Sequence, residues 1–150
     1  MAQAIEQAQV AAKCGEVPVG AVIVGNGKVL ARAHNAPLTH QDASAHAEIL
    51  AIRRAGAERA NYRLPDTTLY VTIEPCLMCV GAIVHARIAR VVIGSLEPKA
   101  GALISHSIMQ NHPVNHQFAV DQGILEQECR QLMKEFFAAR RASTNSRRPS

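Results

Sequence analysis

The sequence predicts a three-layer α/β/α domain, with helices on both faces of one central mixed five-stranded sheet. Helical and strand-like segments alternate along most of the chain, which is typical of a sheet with helices packed on its faces. The dipeptide Asn26-Gly27 separates two strand-like segments and predicts a hairpin, because Asn and Gly tolerate the positive φ of a tight turn. The chain has 150 residues, which is the length of one domain.

The first half of the chain contributes this hairpin and a helix on each side of it. Residues 2–14 are rich in Ala and Gln and predict the first helix. The hairpin strands cover residues 20–24 and 28–32, and a polar loop covers residues 35–42. We expect the second helix directly after this loop.

The second helix has signals at both of its ends. Asp42 or Ser44 is the predicted N-cap, because a short polar side chain can accept a hydrogen bond from the first turn. Gly56 is the predicted end, since glycine commonly follows the last helical residue. Ile49 and Ile52 are expected to be buried.

The second half of the chain alternates strands with helices. Residues 68–73 are rich in β-branched side chains and predict a strand, and residues 90–93 predict another. The helix between them, residues 76–86, is apolar on most sides, so we expect it to be buried.

The C-terminal third is less regular. Residues 95–115 predict mostly loop or broken helix, and residues 117–121 predict a short last strand. A long amphipathic helix is expected at residues 124–141, and the rest, residues 142–150, is expected to be a basic, disordered tail. The apolar stripe of the long helix consists of Leu125, Cys129, Leu132 and Phe136.

The charge balance permits a nucleic-acid partner without requiring one. The formal net charge is +4 and the pI is near 9.1. Much of the excess lies in Arg140, Arg141, Arg147 and Arg148, and a solvated tail explains these charges equally well. Because the chain has no Trp, two Tyr and three Phe, any surface for stacking bases must be small.

The sequence also indicates in which compartment of the cell the protein is expected. Its apolar runs fall short of the ~20 residues that a membrane span needs, and the N-terminal residues lack the pattern of a signal peptide. Two of the four cysteines form a CxxC motif, and Cys14 and Cys129 do not indicate a disulfide framework. We therefore expect a cytoplasmic protein without a membrane segment.

Two short stretches predict a metal centre. They read H-x-E at His46 and Glu48, and P-C-x-x-C at Pro75, Cys76 and Cys79. Cysteines three residues apart share one helix face, and a proline at the helix start would place both in the first turn. One imidazole and two thiolates suit a catalytic zinc with an open fourth position. Glu48 is read as a proton carrier beside the metal.

The CxxC motif has two other interpretations, a redox pair and a structural zinc site. A CxxC motif alone also serves redox pairs and structural zinc sites. A structural site needs a fourth ligand, for which Cys14, Cys129 and His85 are the candidates. The upstream His-x-Glu has no role in a redox pair, so the joint pattern favours the catalytic site.

Five stretches of the sequence resemble the bacterial tRNA adenosine deaminases. Their sequences are EVPVGAVIV (16–24), HAEILAIR (46–53), LYVTIEPCLMC (69–79), GAIVHARIARVVIG (81–94) and KAGA (99–102). The zinc motif is shared with cytidine, cytosine and guanine deaminases. The stretches around this motif, and Phe136-Phe137 followed by Arg140-Arg141, are what point to the tRNA branch.

The resemblance implies a fold, a reaction and a set of roles. The fold would be the cytidine-deaminase-like one in a domain of residues 1–141, and the reaction would convert adenosine to inosine at the anticodon wobble position. The protein would be a homodimer with one zinc per subunit. By resemblance the metal ligands are His46, Cys76 and Cys79, and the proton shuttle is Glu48. The residues that would contact the RNA are Asn35, Lys99, Phe137, Arg140 and Arg141.

Several alternatives remain open at this point. Asn35 could be an ordinary turn residue and Phe137 could belong to the helix core. The protein could instead deaminate a free nucleobase or nucleoside, such as guanine or cytosine, with the same zinc site. It could also be a zinc-stabilised RNA-binding module without chemistry, although Glu48 has no purpose in such a module.

Overall fold

In the computed structural model, which describes residues 1–147, a five-stranded mixed sheet forms the centre of the protein. Its strands are β1 (Gly20–Gly25), β2 (Lys28–His34), β3 (Thr67–Ile73), β4 (Arg90–Ser95) and β5 (Ala119–Gln122). They lie in the order β2-β1-β3-β4-β5. β1 is antiparallel to both neighbours, whereas β3, β4 and β5 are parallel to one another. The predicted mixed sheet of five strands is confirmed.

The helices cover both faces of this sheet. They are α1 (Ala2–Lys13), α2 (Pro37–His40), α3 (Ala47–Arg59), α4 (Leu77–Ala86), α5 (Ile108–Asn111) and α6 (Glu126–Asn145). α1 and α6 contact each other on one face, and α3 and α4 contact each other on the other. The three-layer prediction is therefore also confirmed. Among residues 1–147, none of the helices combines the length and the apolar character that a membrane crossing demands.

Side chains on both faces of the sheet are buried, because they alternate along each strand between the two helical layers. Successive side chains of a strand point to opposite faces. In β4, Val91 and Ile93 join the main apolar core with α3 and α4, while Val92 is buried beneath the other layer. On that second face Gly94 leaves room for the Cys129 side chain of α6, because a Cβ at this position would collide with its sulfur. Cys129 thus belongs to the packing of α6 against the sheet.

The helix after the polar loop differs from the prediction at both ends. Asp42 Oδ1 accepts hydrogen bonds from the N–H and the hydroxyl of Ser44, so these two residues form a turn instead of a cap. The helix α3 begins at Ala47, with His46 as its N-cap, and passes through Gly56 to end at Arg59. Ile49 and Ile52 are only half-buried. The fully buried face consists of Ala47, Glu48, Leu50, Ala51 and Ala55.

Two other helices, α4 and α6, differ from the predictions. The apolar composition of α4 indicated a buried helix, yet Leu77 is 61% exposed and Met78 is 39% exposed. The helix α6 continues to Asn145, past the predicted end at residue 141. The hydroxyls of Ser143 and Thr144 donate to the Arg140 carbonyl, which stabilises this last turn. Of the predicted apolar stripe on α6, Cys129 alone is fully buried. Residues 148–150 of the predicted tail lie outside the described residues.

Candidate active site

Two helix N-termini meet at the predicted metal centre. His46 is the N-cap of α3 and Cys76 is the N-cap of α4, and the two helices contact each other. Cys79 lies in the first turn of α4, as the Pro-Cys-x-x-Cys spacing predicts. The positive end of a helix dipole favours a thiolate, which is the form of cysteine that binds metal.

The distances between the three side chains fit zinc. Nδ1 of His46 lies 3.7 Å from Sγ of Cys76 and 3.6 Å from Sγ of Cys79. Zinc bonds of ~2.3 Å to sulfur and ~2.0–2.1 Å to nitrogen, at a tetrahedral angle, place nitrogen and sulfur ~3.6 Å apart. The nitrogen is therefore already spaced from both sulfurs as in a tetrahedral zinc site, and the three donor atoms lie within 4.8 Å of one another.

Residues 1–147 offer this centre no further ligand of the predicted kinds. Within residues 1–147, these three residues form the single group of three or more His, Cys, Asp or Glu side chains close enough to share a metal. Cys14, Cys129 and His85, the candidates for a structural fourth ligand, lie outside this group, and so does Glu48. An open fourth position is characteristic of catalytic zinc.

The protonation states of the ligands are linked. The thiol of Cys79 donates a hydrogen bond to Cys76, and this bond together with one from His46 lowers the pKa of Cys76 to about 3. The same bond is the largest cause of a raised pKa of Cys79, and burial is the second. The interaction with Cys76 also raises the pKa of His46 against the effect of burial. A metal ion that binds here must displace the proton of Cys79.

Glu48 lies beside these ligands in the first turn of α3. Its side chain is buried, with 4% of the residue exposed. Burial raises the pKa of this carboxyl, and a hydrogen bond from its own backbone N–H and the charge of His46 oppose that effect. A buried carboxyl near a metal centre, with a raised pKa, is suited to accept and return a proton.

A cavity of about 230 Å³ opens above the candidate metal ligands. Asn35, His46, Glu48 and Cys76 line it, so the structure brings the predicted base-binding residue together with the metal centre. Asn35 is 8% exposed, and its backbone N–H donates to the Val19 carbonyl at 3.0 Å. Because pockets for drug-sized ligands measure roughly 300–1,000 Å³, this cavity suits a single base. Its remaining lining residues are Val17, Val19, Ile73, Glu74, Glu97, Ala100 and Met133.

The other predicted RNA contacts lie outside the cavity. Lys99 is exposed on the loop between Glu97 and Ala100, both of which line the cavity. Phe137, Arg140 and Arg141 line a separate depression on α6. Phe137 is 38% exposed, which excludes the interpretation that it belongs to the helix core.

Sequence reasoning missed Glu74, which lines the cavity and is 3% exposed. Its carboxylate accepts hydrogen bonds from the loop that contains Lys99. One signal was present in the sequence: Glu74 is an acidic residue between a β-branched strand and Pro75, where a solvated charge is not expected.

Several known proteins have sequences similar to this chain. Residues 1–141 match the model of the MafB19-like deaminase family. The tRNA-specific adenosine deaminase of Bacillus subtilis (strain 168) is 46% identical over 138 residues, which cover 91% of this chain and 86% of that protein. The tRNA-specific adenosine deaminase of Haemophilus influenzae (Rd) is 43% identical over 143 residues, which cover 94% and 83%.

A solved structure agrees with these relatives. It comes from studies of A-to-I editing by tRNA:A34 deaminases at the wobble position of transfer RNA, and it superimposes with a TM-score of 0.85 at 41% identity. The superposition covers 88% of this chain and 96% of that one, and it confirms the cytidine-deaminase-like fold. The chain therefore belongs to the tRNA-specific adenosine deaminases, within the deaminases that the MafB19-like family model describes.

Proposed function

We propose that this protein is a hydrolase that converts adenosine at the wobble position of a tRNA anticodon to inosine, with one zinc ion per chain. The observation that carries the proposal is the buried carboxyl of Glu48 in the same cavity as His46 and Cys76. This arrangement occurs in a chain that is 46% identical to a tRNA-specific adenosine deaminase.

The metal ligands in this proposal are His46, Cys76 and Cys79. When bound, zinc would supply a water activated for attack, because it lowers the pKa of such a water toward ~7. The three side chains hold their donor atoms at the spacing of a tetrahedral site, so binding requires little rearrangement.

Glu48 moves the protons of the reaction. Its carboxylate takes a proton from the water that attacks C6 of the adenine and passes it to N1. It then returns the second proton of the water to the departing amino group, so that water is consumed and ammonia is released. General acid–base catalysis of this kind typically contributes ~10²–10⁴-fold to the rate.

Asn35 orients the base. Its amide offers both a donor and an acceptor, and it lines the cavity from the start of the polar loop, directly after β2. The cavity accommodates one base, so the target nucleotide must leave its stack, which costs least in a single-stranded loop.

Contacts outside the cavity select the anticodon loop. Lys99 is exposed beside the cavity rim, and Arg140 and Arg141 are exposed on α6, where they can reach phosphates. Phe137 offers an exposed ring on which a base can stack. We place the deaminase domain at residues 1–141 and the protein in the cytoplasm, where tRNA substrates occur.

The proposed assembly is a homodimer that uses the outer side of α4. Leu77 and Met78 are exposed there, and Leu77 lines an apolar groove of about 600 Å³. The groove lies between α4 and the segment 108–115. A Leu77→Lys variant should sediment as a monomer at micromolar concentration, while Leu38→Lys, at an equally exposed leucine on α2, should not change the mass. A wild-type monomer at that concentration would contradict the dimer.

The decisive experiment compares substrates. We expect rapid release of ammonia from an anticodon stem-loop with a wobble adenosine, and slow release from free adenosine, cytidine and guanine. Equal rates on the stem-loop and on a free base would favour the nucleobase deaminase. Binding of RNA without deamination of any substrate would favour the zinc-stabilised binding module.

A further inference from the structure

Glu74 is a buried carboxylate that the deamination reaction does not use. It follows the last residue of β3 and precedes Pro75 and Cys76. Its two oxygens accept five hydrogen bonds from one loop, four of them from backbone N–H groups. The donors are Glu97 N (3.1 Å) and Ser105 Oγ (2.5 Å) to Oε1, and Leu103 N (3.2 Å), Ile104 N (2.8 Å) and Ser105 N (2.9 Å) to Oε2.

This loop, residues 97–105, lacks helices and strands of its own. Buried backbone N–H groups need acceptors, which a helix or a sheet would otherwise provide. Here one carboxylate supplies them, and hydrogen bonds to a charged acceptor are stronger than those to a neutral one. A further bond runs from Ala102 N to the Pro75 carbonyl at 2.9 Å, so the loop is attached to two consecutive residues.

Gly101 shows how closely the loop surrounds the carboxylate. A Cβ at this position would collide with the carboxyl group of Glu74 and with the Glu97 carbonyl oxygen. The glycine is therefore required by space at this point of the loop. Its N–H donates to the same Glu97 carbonyl at 2.8 Å, which closes a turn over the carboxylate.

The loop is also one wall of the cavity. Glu97 and Ala100 line the cavity together with Glu74 itself, and Lys99 lies exposed between them. Because Glu74 is two residues from Cys76, its hydrogen bonds set the position of this wall relative to the metal centre.

We propose that Glu74 is a positioning residue that holds the loop 97–105 against the start of α4, where Cys76 and Cys79 lie, so that the cavity wall and Lys99 meet the RNA in one arrangement. The inference rests on the proposed function for the identity of the substrate. The position of the loop itself can be tested without any substrate.

The main test is Glu74→Gln, which keeps the shape of the side chain. An amide presents an NH₂ group to donors that need an acceptor, so part of the network is lost. We expect faster hydrogen exchange at the amides of Leu103, Ile104 and Ser105, and one zinc per chain as in the wild type. KM for the stem-loop should rise about tenfold, while kcat per zinc-loaded enzyme changes less than about threefold.

Two further variants separate positioning from stability. Gly101→Ala keeps the carboxylate but displaces the loop, and it should raise KM in the same way. Thr67→Val removes a buried hydrogen bond, from Thr67 Oγ1 to the Leu64 carbonyl at 2.6 Å, at the opposite end of β3. It should lower Tm but leave loop exchange and KM unchanged.

A double-mutant cycle with Lys99→Ala tests the link to the RNA. If Glu74 acts by placing Lys99, Lys99→Ala should raise KM less in the Glu74→Gln background than in the wild type. Additive effects, unchanged loop exchange or loss of zinc in Glu74→Gln would each overturn the inference. A wild-type protein inactive on the stem-loop would instead contradict the proposed function, and loop exchange would still decide the role of Glu74.

Discussion

Nδ1 of His46 lies 3.7 Å from Sγ of Cys76, although the two residues are thirty positions apart in the chain. Each is the N-cap of its own helix, so the packing of α3 against α4 brings the two caps together. The candidate metal centre thus lies where two helices begin. Both helices stay in place only if the sheet below them is intact, which couples the metal site to the fold.

Removing the metal should therefore destabilise the protein. A zinc concentration of about 1,000 times its Kd adds ~4.1 kcal/mol to the free energy of unfolding. A strong chelator should remove this contribution and lower Tm by roughly 8–16 °C, since 1 kcal/mol corresponds to about 2–4 °C at this size. Calorimetry with and without chelator measures the shift.

A pair of cysteine variants gives the matched comparison for zinc. Cys79→Ser should bind less zinc and lose the response to chelator, because Cys79 is a buried member of the candidate ligand group. Cys14→Ser, at an exposed cysteine outside this group, should keep the zinc content and the response to chelator of the wild type. Metal analysis that finds one zinc per chain in Cys79→Ser would contradict the ligand assignment.

Glu48→Gln should separate metal binding from catalysis. The amide cannot exchange a proton as the carboxylate does, so kcat should fall about 10²–10⁴-fold while the zinc content stays at one per chain. Zinc content and turnover should be measured on one preparation. The control is Glu58→Gln, at an exposed position on the same helix. If zinc disappears together with activity, Glu48 is a ligand and its assigned role is wrong.

Stability should decline at high pH because of Cys129. Burial is the larger cause and the charge of Glu128 the smaller cause of a raised pKa of this thiol, which is about 11 in the folded protein. Since an exposed thiol has a pKa of about 8.5–9, the unfolded state ionises first as pH rises. The thiol's contribution is complete below about pH 8.5 and is lost by pH 11, at ~1.4 kcal/mol per pKa unit.

The variant Cys129→Ala isolates this effect. It removes the thiol and should remove the corresponding part of the decline in the free energy of unfolding between pH 8.5 and 11. Urea denaturation at several pH values measures both proteins. Parallel pH curves would mean that the Cys129 thiol ionises equally easily in the folded state.

RNA affinity should depend on salt through the arginines of α6. Each phosphate contact contributes about −0.7 to the log–log slope of affinity against salt on a single strand. Arg140→Ala combined with Arg141→Ala should therefore reduce the slope by about 1.4 in magnitude and raise KM for the stem-loop. Slow turnover of free adenosine should not change, because both residues lie outside the cavity.

Arg63→Ala provides the control for the α6 variant. Arg63 is exposed before the start of β3, whereas Cys76 and Cys79 follow the end of that strand. Its removal also subtracts one positive charge, but it should leave the slope unchanged. A slope that falls equally in both proteins would indicate that general charge attracts the RNA.

Local patterns were enough to predict the hairpin and the position of Cys76 and Cys79 at the start of one helix. Asn26 and Gly27 adopt φ values of 52° and 70°, which Asn tolerates better than most residues and which Gly adopts freely because it lacks a Cβ. Cys76 and Cys79 share a helix face whatever surrounds them. In both cases the interacting groups are neighbours in the chain, and their spacing determines the geometry.

Tertiary contacts decided what the local patterns could not. The apolar composition of α4 predicted burial, but exposure depends on what packs against a helix, and Leu77 remains 61% exposed. The role of Glu74 depends on donors 23 to 31 residues further along the chain. The loop that supplies these donors has no periodic pattern of apolar residues from which such contacts could be predicted. Its hydrogen bonds run to the Glu74 side chain, which comes within reach of the loop only when the sheet has folded.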